Sequence, residues 1–158
     1  MRRVWLGLAA ALALAGCNRP VGEDGTRGPS LPRPNGVWSA REALQGPMAV
    51  FGPLNAPEGV LTVTCRSTPS TLIVTLLSLP QNARLSGDMV LRAGRRTFHA
   101  PLAVKDGSAE ADFPADAALT SALSSADDLR VETPSAPKAG LDTGRPDAAL
   151  RGVLAACR

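Results

Sequence analysis

The chain has 158 residues and a formal net charge of +3, is 44% hydrophobic, and carries two Trp, three Phe and no Tyr. Charge this close to balance argues against a nucleic-acid binder, which needs a basic surface to displace phosphate counterions, and so few rings disfavour a sugar-stacking platform. Basic charge is almost all arginine, with only Lys105 and Lys138 as lysines; without clustering into one stripe, this reads as a coding bias.

At the start, Arg2 and Arg3 precede an uncharged run from Val4 to Ala15. About a dozen residues cannot cross a bilayer core that needs about 20, so the segment is a processed leader and not a membrane helix. It ends in Leu14-Ala15-Gly16-Cys17, a compact pattern that resembles the lipobox of bacterial lipoproteins. The resemblance implies removal of residues 1–16 and lipidation of Cys17, with two acyl chains on sulfur and a third on the amine. At about 0.8 kcal/mol per buried methylene, such an anchor has negligible spontaneous release. Asn18 stands where the family's inner-membrane retention signal is aspartate, which implies the periplasmic face of the outer membrane of a Gram-negative cell. Ala13-Leu14-Ala15 also satisfies the A-x-A pattern of an ordinary secretory signal, which would release a soluble protein. Loss of Arg2 and Arg3 lowers the net charge from +3 to +1.

Residues 17–36 form a Pro/Gly-rich and charged tether behind the cysteine, without apolar periodicity. At about 3.1 Å per residue it reaches at most roughly 60 Å, enough to hold a domain clear of the headgroups. A lead-in of unselected length reads equally well. Residues 37–158 are then a single periplasmic domain of about 120 residues, room for one hydrophobic core.

Within it, Ser39-Ala40-Arg41-Glu42 has the capping-box pattern, with Trp38 placed to staple on Ala43, and predicts a short helix through Leu44. Met48 to Phe51 predicts a brief strand. Leu61, Val63 and Cys65 alternate with Thr62, Thr64 and Arg66, the signature of a strand with one wet face. Thr71 to Leu79 is apolar on both faces and predicts a central strand covered on both sides. Asp88–Arg92 and Arg95–Lys105 predict a hairpin around Ala93-Gly94, with Phe98, Ala100, Leu102 and Val104 inward and Pro101 marking an edge or bulge. Asp106-Gly107 is a two-residue hairpin signal leading into Ala109, Ala111 and Phe113. Ala117–Ser124 predicts a helix capped by Asp116, and Leu129–Thr133 a strand. Pro134–Arg145 reads as a loop. Pro146 then opens a last helix whose Leu150, Val153, Leu154 and Cys157 share one face.

Cys65 and Cys157 both fall on inward faces. With Cys17 consumed by lipid they form an even pair in an oxidising compartment, so a disulfide stapling the last helix to the sheet is expected. Two reduced core thiols are the alternative. The expected fold is α+β: a small antiparallel β-sandwich-like sheet with a short helix and a C-terminal helix packed on it.

The domain resembles small exported domains of the type VI secretion accessory VasI and invasion-associated-locus-B-like kind. The likeness is carried by Trp38 near the domain start, the strand Leu61-Thr62-Val63-Thr64-Cys65, the apolar strand after it, and the closing helix from Ala149 to Cys157. The additional cysteines common near the start of such domains are absent. The resemblance implies an envelope module with a secretion or host-surface role and brings no catalytic motif.

Chemistry-bearing patterns are scarce. His99 is the only histidine and alternation points it outward; no G-x-S-x-G or H-E-x-x-H pattern exists, so no catalytic residues are expected. One His and two bridged Cys cannot build a zinc site, and no metal or other cofactor is expected. Glu110 and Asp112 share one strand face, as a carboxylate pair or a solvated surface. Arg92, Arg95 and Arg96 cluster at a hairpin tip and could contact an anionic ligand, or simply guard a sheet edge. The reading is a lipid-anchored, non-enzymatic binding or scaffold module of the envelope, accessory to a secretion system in one version. Its partners would be the membrane through its N-terminal lipid and an envelope protein or peptidoglycan, with no nucleic acid. The alternative is a structural lipoprotein contacting peptidoglycan or anionic lipid; a cell-wall-acting enzyme ranks last.

Overall fold

The computed structural model describes residues 36–54, 60–77, 79, 85–134 and 139–157. The leader, the lipobox residues Leu14, Ala15, Gly16 and Cys17, and the tether up to Asn35 lie outside the described residues. In chain order the strands are β1 (Val37–Ala43), β2 (Gly46–Gly52), β3 (Leu61–Ser67), β4 (Ser70–Leu76), β5 (Asp88–Ala93), β6 (Arg96–Lys105), β7 (Ser108–Pro114), β8 (Leu129–Thr133) and β9 (Ala139–Gly144). Helix α1 (Ala117–Ser125) precedes β8, and α2 (Ala148–Ala156) follows β9.

All nine strands form one antiparallel sheet in the order β1-β2-β3-β4-β7-β6-β5-β8-β9. The expected sandwich is thus corrected to a strand-dominated, nearly closed, barrel-like sheet, within the broader α+β class. The bend is made in β6. Its first half, Arg96 to Pro101, pairs with β5, and its second half, Leu102 to Lys105, pairs with β7. The β7 ladder ends at Leu102 because Pro101, next in line, has no N–H to extend it. Leu102 N donates instead to the Gly87 carbonyl, 3.0 Å away, which carries the strand across to β5. Pro101 therefore marks a change of partner, not a free edge, and one strand serves as the corner between two half-sheets.

Alternation explains which residues fill the inside. Leu61, Val63 and Cys65 of β3, Leu72, Val74 and Leu76 of β4, and Ala109, Ala111 and Phe113 of β7 are buried in one core with Met89 and Leu91 of β5 and Leu129 and Val131 of β8. The helices complete it with Leu119 and Leu123 of α1 and Leu150, Val153 and Leu154 of α2. On β4 the outward Thr71 and Ile73 are buried as well, as its two-faced apolar run predicts. On β6 burial fades along the strand: Ala100 is buried, Phe98 and Leu102 are half-buried, and Val104 is exposed, contrary to expectation, because it lies beyond the corner near the Asp106-Gly107 turn. That turn has φ +50 at Asp106 and +77 at Gly107, both left-handed, as a two-residue hairpin of matching twist requires.

Asp116 caps α1, its carboxylate accepting from Leu119 N at 2.7 Å. Asp147 caps α2, accepting from Ala149 N at 2.7 Å, so Pro146 sits just before the cap and not in the first helical turn. The segment expected as a loop, Pro134–Arg145, contains β9; the β8 edge recruits it although its Pro/Gly composition hides any alternation. The predicted helix through Leu44 is also absent. Residues 37–43 pair along their whole length with β2, and Trp38 lies opposite Phe51 with ring centroids 5.3 Å apart. Burying that aromatic pair outweighs one capping box, and Ser39 Oγ faces the Val50 carbonyl across the hairpin at 3.5 Å instead of capping a helix. Gly36 lies flush on the Phe51 ring: a Cβ there would stand 2.6 Å from Phe51 Cζ.

Cys65 and Cys157 form a disulfide, with Cα atoms 5.4 Å apart at a sequence separation of 92. It ties the end of α2 to β3, and Ser70 Oγ donates to the Cys157 carbonyl beside it. Replacing both cysteines by alanine is expected to lower stability by about 4 to 5 kcal/mol, read by denaturant titration of the oxidised wild type against the double variant. Two glycine substitutions should act in opposite directions. Gly36→Ala forces its methyl into a buried ring and should cost about 1 to 3 kcal/mol. Gly152→Ala, inside α2 with nothing within 4 Å of the added carbon, should gain about 0.5 to 1 kcal/mol. Thermal melts of the two variants check both signs.

Candidate functional site

A barrel-like sheet invites the question of an interior ligand site. Here the inside is filled: Leu61, Val63, Leu72, Val74, Leu91 and Leu129, with Leu123 and Leu150 from the helices, enclose about 10 Å³, at the lower limit for one water. Any binding by the described residues must therefore use the outer surface.

The outer face of β6-β5-β8-β9 carries a charged row. Register aligns Thr97, Arg92, Arg130 and Asp142 across the four strands, and His99, Val90 and Glu132 in the next row. Glu132 Oε1 accepts from Arg92 Nε at 2.9 Å and lies 3.3 Å from Arg130 Nε, so one carboxylate serves two guanidinium groups. Its side chain is only 16% exposed, against 44% for that of Arg92.

The arginine hairpin is divided by its own pleat. Arg92 stands opposite Thr97 on the outer face, whereas Arg96 stands opposite the buried Ala93 on the other parity and donates from Nη1 to the Ala118 carbonyl at 3.3 Å. Arg95 is exposed in the turn between them. The three side chains belong to one hairpin but do not converge on one point.

His99 is exposed on β6, with Val90 opposite it and Glu132 one strand further. Among the described residues no three of His, Cys, Asp and Glu gather as metal ligands. Glu110 and Asp112 do share the outer face of β7, but their surroundings differ. Asp112 Oδ2 accepts from Arg66 Nη2 at 2.6 Å, while Glu110 Oε2 lies 3.5 Å from Thr75 Oγ1. One member of that carboxylate pair is committed to an ion pair. Along α1 an open hydroxyl-lined surface includes Thr120, Ser121, Ser124 and Ser125. Three of those hydroxyls donate to helix carbonyls one turn back, at 2.7 to 2.8 Å, and are spent on the helix itself.

One surface feature escaped the sequence reading. Of the large apolar residues that stand exposed among the described ones, Val37 and Leu44 lie at the two ends of β1 and Leu54 lines a shallow groove with Val37 and Val50; the fourth is Val104. Three of the four thus flank β1, Val37 and Leu54 beside its start and Leu44 just past its end. Gly46 was the available signal, since with φ +116 it follows the Leu44-Gln45 turn that closes the hairpin and makes residues 37–43 a strand. No helix among the described residues is long and apolar enough to cross a membrane.

No protein-family model matches the chain, and no curated protein matches its sequence. In structure it is similar to invasion associated protein B from Bartonella henselae, with a TM-score of 0.50 and 15% identity over 77% of this chain and 94% of that one. At this identity the likeness is one of fold. It bears out the invasion-associated-locus-B-like part of the sequence resemblance at the level of architecture.

The two outer-face ion pairs should differ in weight. Asp112→Asn breaks a half-exposed pair and should cost less than about 1 kcal/mol. Glu132→Gln takes the shared charge from two arginines at a mostly buried position and should cost about 1 to 3 kcal/mol. Urea midpoints of the two variants at low salt test the order.

Proposed function

We propose that the chain is an exported lipoprotein whose folded domain is displayed in the periplasm and acts by binding, not by catalysis. The observation that carries this reading is the pairing of an N-terminal Leu14-Ala15-Gly16-Cys17 with a domain closed by the Cys65–Cys157 disulfide. A structural disulfide persists in an oxidising compartment, and a lipobox leads there. The fold shared with invasion associated protein B supports the same exported-domain reading. The binding role rests on the filled interior and on the outer surface, where Asp112 is held by Arg66. Asn18 directs the anchored protein to the outer membrane, and a protein of the envelope or peptidoglycan is the partner within reach of the tether. Service to a secretion machine is one form of this role.

Metabolic labelling with an alkyne palmitate in a Gram-negative host is expected to mark the wild-type chain and not Cys17→Ala, with the label in the outer-membrane fraction. An unlabelled, soluble periplasmic wild type would instead establish cleavage after Ala15 and end the lipoprotein reading.

A further inference from the structure

The chain carries three cysteines, an odd number for an oxidising compartment, and the Cys65–Cys157 bond leaves Cys17 over. Cys17 lies outside the described residues and enters by its place in the sequence. β3, which holds Cys65, is paired on both sides by strands close in sequence, β2 and β4. Its disulfide partner, by contrast, closes α2, the last element among the described residues. α2 packs on β1, β2 and β3 and brings Cys157 to 5.4 Å from Cys65 at Cα. In the docked state Cys65 is 6% exposed and Cys157 2%, so both thiols must react before or as α2 settles.

A chain exported amino terminus first presents Cys17, then Cys65, and Cys157 last. Until Cys157 arrives, Cys17 is the one other thiol on the chain. It stands at about half the sequence separation from Cys65 that Cys157 does, and at equal access loop closure favours the shorter loop by about two- to threefold. Reach is no obstacle. The tether spans at most roughly 60 Å, against about 10 Å for the two strand spacings from β1 to β3.

We propose that lipidation of Cys17, besides anchoring the chain, protects the native disulfide by removing the one thiol that would take Cys65 before Cys157 arrives. This rests on the lipoprotein reading above and gives the same residue a role in folding. The two reactions of Cys17 exclude each other. In lipidation its sulfur bonds to the diacylglyceryl carbon of a phospholipid, as the carbon–oxygen bond to the headgroup phosphate breaks and the thiol proton is lost. In oxidation two thiols give two electrons and two protons to a protein disulfide oxidant, which leaves as a dithiol. A thioether has no S–H and cannot enter that exchange, so Cys65 stays free for Cys157. Without the lipid, a Cys17–Cys65 bond would draw the tether onto the face of β3 where Cys157 belongs and leave α2 without its covalent tie.

The test compares three full chains in a Gram-negative host. They are the wild type, a form whose residues 1–16 are exchanged for an ordinary secretory signal so that Cys17 keeps its thiol, and the same exchange with Cys17→Ser. Free thiols are alkylated early after a pulse of synthesis, and disulfides are mapped by mass spectrometry of unreduced peptides. Wild type and the Cys17→Ser form should contain Cys65–Cys157 alone. The form with a free Cys17 should carry Cys17–Cys65 in about two- to threefold excess over the native bond, with Cys157 alkylated. The Cys17→Ser form guards against a defect caused by the exchanged signal itself. If the free-thiol form pairs Cys65 with Cys157 as cleanly as the Cys17→Ser form while the wild type is lipidated, the protective role is overturned and the anchor stands. A wild type whose Cys17 takes the alkylating reagent would overturn both.

Discussion

The fold depends on one strand belonging to two half-sheets. Because β6 leaves β7 at Leu102 and joins β5 from Pro101 backwards, the apolar faces of β3, β4 and β7 turn towards those of β5 and β8. Without that corner, one long flat sheet would expose an entire apolar face. With it, Leu72 and Val74 share a core with Leu91 and Val131, and the two short helices are enough to fill what remains. Proline usually marks the limit of a sheet; here its missing N–H ends one ladder where the other must take over.

The barrel is left incomplete between β1 and β9, and α2 packs against β1, β2 and β3 beside that gap. A nine-residue helix has little stability by itself, so its position must come from tertiary contacts. Leu150, Val153 and Leu154 supply the apolar part, and the Cys65–Cys157 bond ties the far end. The aspartate cap fixes the near end. The covalent bond thus ties a helix that lies outside the sheet to β3, a strand held by neighbours on both sides.

What could be read from the sequence follows the range of the forces involved. The strands β3 and β7 were visible because each has one dry and one wet face, which forces strict alternation. The Asp116 cap of α1, the Asp106-Gly107 turn and the apolar stripe of α2 are likewise local, and the pairing of two inward cysteines followed from them. β1 and β9 were hidden for different reasons. In β1 a Ser-x-x-Glu spacing imitates a helix start, and only the contact between Trp38 and Phe51 decides against it. In β9 glycines and a flanking proline erase the pattern. Sheet order, and so the barrel-like closure, depends on partners far apart in sequence. The split of Arg92 from Arg96 needed the register as well, since three arginines within five residues look like one patch until the pleat separates them.

These observations bear on how such a domain can act. A filled interior confines recognition to the surface, and the charged outer face of β6-β5-β8-β9 is largely self-neutralised, with Arg92 and Arg130 both drawn to Glu132. By contrast, β1 ends the sheet among the described residues, beside exposed Val37, Leu44 and Leu54. Soluble domains generally blunt such an edge with lysine, proline or a bulge, and β1 has none of these. Its only charges, Arg41 and Glu42, are adjacent and so point to opposite sides of the sheet, where neither blocks an approaching strand in the plane. Exposed apolar side chains among the described residues thus gather beside β1 and not at the arginine hairpin, whose side chains the pleat separates.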